Sequence, residues 1–94
     1  MDIVAPSVVV SGQKTIAAAG TQEAIAASGV CRSVTVKALA TNTGNVFIGA
    51  STVSSADGFI LSAGESVSLA INSLATVYID VAVNGEGVSY IAVR

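Results

Sequence analysis

Apolar residues in this chain recur at every second position in short runs, and turn residues interrupt the runs about every eight to twelve positions. Successive side chains of a strand point to opposite faces, so this period builds half-buried strands; a helix would need apolar residues every third or fourth position. One stretch is open to both. "KTIAAAGTQEAIAAS" has the alanine content of a helix, yet Gly20 and Thr21 interrupt it, and neither half reaches the length at which a helix is stable alone. Two strands are expected there instead, 13–18 and 22–27, turning at Gly20. The expected fold is all-β: a single-domain antiparallel β-sandwich, jelly-roll-like, of about eight short strands with no substantial helix. Residues 1–11, with Pro6 and the run Val8, Val9 and Val10, are expected to form an extended arm able to add to a sheet edge, its own or a neighbour's. The sandwich itself is then residues 12–94.

Turn chemistry supplies candidate connections. Asn84-Gly85 is the preferred pair for a type I′ hairpin and would set Val81 opposite Val88 and Ile79 opposite Tyr90. That pairing puts Val77, Ile79, Val81, Val83, Val88 and Tyr90 on a core face, with Tyr78, Asp80, Ala82, Ser89, Ile91 and Val93 on the reverse. In "TNTGNVF", Asn42-Thr43-Gly44 fits a three-residue hairpin with Gly44 as its corner, setting Ala40 opposite Val46 and Leu39 opposite Phe47. Its core face is Val34, Val36, Ala38, Ala40, Val46 and Ile48. Gly58, after Asp57, closes a loop before the run Phe59 to Leu61. Gly64, after Ala63, suits the positive-φ position of a type II turn leading into Ser66 to Ile71, and 72–76 reads as a connection.

At 94 residues the chain is one domain whose core is built largely from Ala, Val and Ile, and it buries about two thirds of its unfolded surface. Charged residues are 11% of the chain, against roughly a quarter in an ordinary soluble domain. Such a surface is poorly protected from association. Lys14, Arg32, Lys37 and Arg94 are scattered and outnumbered by six carboxylates, so no basic stripe exists for nucleic acid. No run is long enough for a membrane span, and "MDIVAPSVVVSG" carries an acid where a signal peptide needs positive charge. The expectation is a chain made and used without secretion.

Catalytic and metal chemistry lack their parts. With no histidine and one cysteine, zinc sites and Ser-His-Asp or Cys-His arrangements are ruled out, so neither a metal nor a cofactor is expected. Asp57, Glu65, Asp80 and Glu86 are the candidates for a carboxylate pair, but they sit beside turns or on a solvated strand face in a domain with little room for a cleft. Asp57 has no acid-rich loop around it to hold calcium. Cys31 is expected to be a small buried hydrophobe beside Val30. The chain is therefore read as non-enzymatic.

Taken together, "CRSVTVKALATNTGNVFIG", "GFILSAGESVSL", "VYIDVAV" and "NGEGVSYI" resemble a family of small proteins encoded among the structural genes of tailed bacteriophages. The likeness runs over residues 31–91, roughly two thirds of the chain. That family often has Pro before the Gly-Glu pair, where Ala63 stands in this chain. The resemblance implies a virion component with a β-sandwich fold and no catalytic residues. Its expected station is a head decoration or cement protein bound to the major capsid protein; the neck, tail or baseplate is the alternative. It also implies synthesis in the host cytoplasm and assembly as a homo-oligomer, with trimers at local threefold positions favoured. The candidate interface residues are Val8, Val9 and Val10 of the arm, and Leu39, Phe47, Tyr78 and Ile91 on the faces away from the expected core. Those last four instead face a second sheet or a covering strand if the sandwich buries both sides. A carbohydrate-binding module for host recognition is a further alternative, with Phe47, Phe59, Tyr78 and Tyr90 as the available rings.

Overall fold

The computed structural model describes residues 8–94 and is an eight-stranded β-sandwich. Its strands are β1 (Val9–Thr15), β2 (Glu23–Ala24), β3 (Ser33–Ala38), β4 (Val46–Gly49), β5 (Phe59–Leu61), β6 (Ser66–Leu69), β7 (Tyr78–Val81) and β8 (Gly87–Val93). The first sheet has the order β1-β8-β3-β6 and the second β2-β7-β4-β5, with antiparallel pairing throughout. The pairs β1:β8, β2:β7, β3:β6 and β4:β5 nest like one long hairpin rolled up, which is the jelly-roll winding. "KTIAAAGTQEAIAAS" forms no helix; the one helical element among the described residues is a 3₁₀ turn at Leu74–Thr76, within the expected connection. The N-terminal strands are shifted from expectation. Val9, Val10 and Ser11 of the expected arm open β1, and the second strand shrinks to two residues. Residues 1–7 of that arm lie outside the described residues.

Both expected hairpins are corrected. β3 and β4 belong to different sheets, as do β7 and β8, so 39–45 and 82–86 are arches that carry the chain across the sandwich. Among consecutive strands only β4 and β5 pair. At the second arch Gly85 has φ +82°, but among the described residues none other than glycine has a positive φ, so Asn84 does not take the conformation a type I′ turn needs. At the first arch Gly44 lacks positive φ and serves close approach instead. A Cβ there would lie 2.9 Å from Val83 Cγ2 and 3.1 Å from the Ala82 Cβ, in the other arch. Gly64 does take φ +82°, with Glu65 N–H donating to Ser62 O at 2.9 Å, as the type II turn requires.

Alternation fixed the faces even where the pairing differed. Val34, Val36 and Ala38 of β3 meet Ala92, Tyr90 and Val88 of β8 on the inner face of the first sheet. Val46 and Ile48 meet Val81 and Ile79 on the inner face of the second. Full burial of each such side chain contributes roughly 1.5–3 kcal/mol. Ala40 and Val83, expected inside, are exposed because each lies in an arch beyond the end of its strand. Asp80, expected on a solvated face, is buried. The loop before β2 folds over it, and its carboxylate accepts the N–H of Gly20 at 2.9 Å and of Val81 at 2.8 Å.

Glu86 clamps the two arches together. Its carboxylate accepts Thr43 N–H at 2.6 Å, Thr43 Oγ1 at 2.8 Å and Gly44 N–H at 2.9 Å. Thr43 N–H, then Gly44 N–H, hold its pKa below the usual carboxylate range, outweighing the opposing desolvation. With the folded pKa below the unfolded one, the clamp's stabilisation is present above the unfolded value, about 4.3, and is lost as pH falls through the folded value. Glu86→Gln is therefore expected to melt below the parent chain at pH 7, with the gap closing towards about pH 3. Thermal unfolding across that range checks it; a gap independent of pH would show that the charge is irrelevant.

Candidate interaction surface

The two sheets part at the β5–β6 edge. Both strands there are short, three and four residues. What results is an apolar cleft of about 410 Å3. Ile48 and Phe59 wall it from the second sheet and Val67 and Leu69 from the first, with Ile71 and Val77 of the following connection also lining it. Thr76 is the one lining residue with a polar side chain. Phe59 points the same way as Leu61, which is buried in the core, but on the edge strand, beside the core residue Ile48, it borders the open cleft and is 58% exposed. Ile60, on the opposite face of the same strand, is 54% exposed. The cleft is thus rimmed by a ring and floored by aliphatic groups, with surface on offer for burial and little to direct a polar ligand.

The candidate interface residues do not gather into one patch. Val8, Val9 and Ile91 are exposed at the edge and outer face of the first sheet, while Val10 turns inward and packs against the core. Leu39 and Tyr78 are half-buried. Phe47 does not qualify as an interface residue, being 6% exposed on the outer face of the second sheet. The loop between β4 and β5 closes over it, and Gly58 permits this, since a Cβ there would meet the Phe47 Cβ at 2.5 Å. Of the four turn glycines, Gly64 and Gly85 take positive φ, whereas Gly44 and Gly58 allow close packing.

Phe59, expected only as a ring available for sugar stacking, and Ile60 are missing from the protein-interface residues the sequence suggests, although both are exposed. The signal was in "GFIL": three consecutive apolar residues in a strand cannot all face one core. Elsewhere the chemistry is sparse. Cys31 is buried, its Sγ 3.3 Å from Ile71 O, and desolvation pushes its thiol pKa up. Among the described residues no three Asp, Glu or Cys side chains come together as a metal site would require. Lys14 and Glu23 form an ion pair at 2.8 Å that ties β1 to β2 across the sandwich. No family model, curated protein or solved structure matches the chain.

Proposed function

We propose that this chain is a non-enzymatic structural protein of a tailed-phage virion, a decoration or cement subunit that binds the major capsid protein and stabilises the shell. The observation that carries the reading is the apolar cleft at the β5–β6 edge with Phe59 half out of it. Jelly rolls recur in viral capsid and lectin domains, and for this chain the capsid side of that analogy agrees with the resemblance over residues 31–91. The lectin side finds less support, because the exposed ring of Phe59 is surrounded by aliphatic groups where a sugar needs hydrogen-bonding partners. The mechanism is mechanical. A subunit seated across a seam between coat proteins buries apolar area on both, so that opening the shell returns that area to water at about 25 cal/mol per Å2.

Two measurements test this. Mass spectrometry of particles purified from the genome that encodes the chain is expected to find it in stoichiometric amount; its absence overturns the virion reading. Phe59→Ser is expected to weaken attachment to those shells about thirtyfold, from the loss of about 2 kcal/mol of ring burial, while leaving the melting temperature of the free subunit nearly unchanged. Unaltered attachment would move the interface away from the cleft.

A further inference from the structure

We infer that β1 is a pairing edge: two copies join first sheet to first sheet through antiparallel β1–β1 contact about a twofold axis at Gly12, making one continuous eight-stranded sheet. The inference stands on the edge itself and holds whether or not the chain is a virion component. Val8 and Arg94 exchange both backbone hydrogen bonds, at 3.2 and 3.0 Å, and Ile16 N–H donates to Glu86 O at 3.0 Å. In an antiparallel ladder the bonded residues alternate, so the even-numbered residues of β1 face β8. The N–H and C=O groups of Val9, Ser11, Gln13 and Thr15 therefore point off the sheet, and among the described residues no backbone partner meets them there.

Exposed edges are ordinarily blunted by shortness, proline, a bulge or a charge. β2, β5 and β6 have two, three and four residues, while β1 has seven in unbroken register with β8 and contains no proline. Its one charge, Lys14, is already neutralised by Glu23 across the sandwich, so a strand laid alongside would strand no unpaired ammonium. Val9 is 64% exposed, an apolar residue at the end of an open edge.

The occupant is a second copy because the edge complements itself. A twofold axis at Gly12 sets Ser11 against Gln13 of the other copy and Val9 against Thr15, the four outward residues exchanging backbone bonds in two reciprocal pairs. Lys14 falls opposite Val10, so no like charges meet. Such a contact lies at the small end of interfaces, below about 1,200 Å2, and its association is concentration-dependent.

Sedimentation equilibrium of the purified chain, from about 5 µM to about 1 mM, is expected to show a monomer–dimer equilibrium. Ser11→Pro removes an N–H that points away from β8 and so spares the ladder to β8. It is expected to weaken dimerisation at least tenfold with the melting temperature held. A second pair of variants decides the matter even if that one misfolds. Ser11→Glu with Gln13→Lys places opposite charges across the axis twice, whereas Ser11→Lys with Gln13→Lys places like charges there. The first is expected to dimerise at least tenfold more tightly than the second, although the second brings the formal net charge from −2 to zero and would reduce general repulsion. A parent chain monomeric at about 1 mM, a trimer or an open polymer, or equal affinity of the two charge variants would overturn the inference. The virion reading fails separately, on absence from purified particles.

Discussion

Gly87→Ala is expected to cost on the order of 3 kcal/mol and to lower the melting temperature by about 12–24 °C, a large share of the stability of a domain this size. Gly87 opens β8 opposite Thr15 of β1. A Cβ there would press into the Lys14 carbonyl oxygen and lie 2.7 Å from the Thr15 Cα. Both are backbone atoms of a paired strand and have nowhere to retreat. The Gly87 carbonyl also accepts Leu39 N–H at 3.1 Å and Asn42 Nδ2 at 2.8 Å, so moving β8 to relieve the clash breaks the anchorage of the first arch as well. Gly64→Ala provides the contrast. It meets only the strain of φ +82° with open space around it, and about 1 kcal/mol is expected. Calorimetry on the two variants checks the order. If Gly87→Ala melts within about 5 °C of the parent, the close contact of β8 with β1 is not as described.

Ile79→Ala is expected to cost about 3–4 kcal/mol, at the centre of the second sheet. Ile79 is fully buried, paired with Glu23 on one side and Ile48 on the other, and the rigid strands around it cannot collapse into the space left. Ile91 sits in a strand of the same alternation but on the outer face, and Ile91→Ala is expected to change stability by no more than about 0.5 kcal/mol. Urea titration separates them. Comparable losses at both positions would mean that the outer face of the first sheet is covered in solution.

That contrast also marks what was legible in the chain. The period of two names the side of the strand that faces the core, and it does so equally for a hairpin and for an arch. Val34, Val36, Val46, Ile48, Ile79 and Val81 were accordingly read inward correctly, although the strands bearing them were assigned the wrong neighbours. Local turn residues favoured hairpins at Gly44 and at Asn84-Gly85. What overrides them is long-range: Asn42 bonds to Gly87 and Glu86 to Thr43, contacts 43 to 45 residues apart that no local window contains. The same blindness hid the cleft. Phe59 faces inward like Leu61, but whether an inward residue on an edge strand is covered depends on how closely the opposite sheet approaches it. Phe47 was misplaced for the converse reason, since its cover comes from a loop with no period at all.

The winding has a consequence for how the chain is made. β8 is bonded on both sides, to β1 and to β3, and of the eight described strands it is the last to emerge during synthesis. Until it arrives, β1 has no partner among the described strands and β3 has only β6. The nascent chain therefore waits with half of a sheet unassembled, and its folding is dominated by contacts between distant parts of the sequence, the slow regime for β domains. Closing the first sheet therefore waits on β8, which must slide between two strands made long before it.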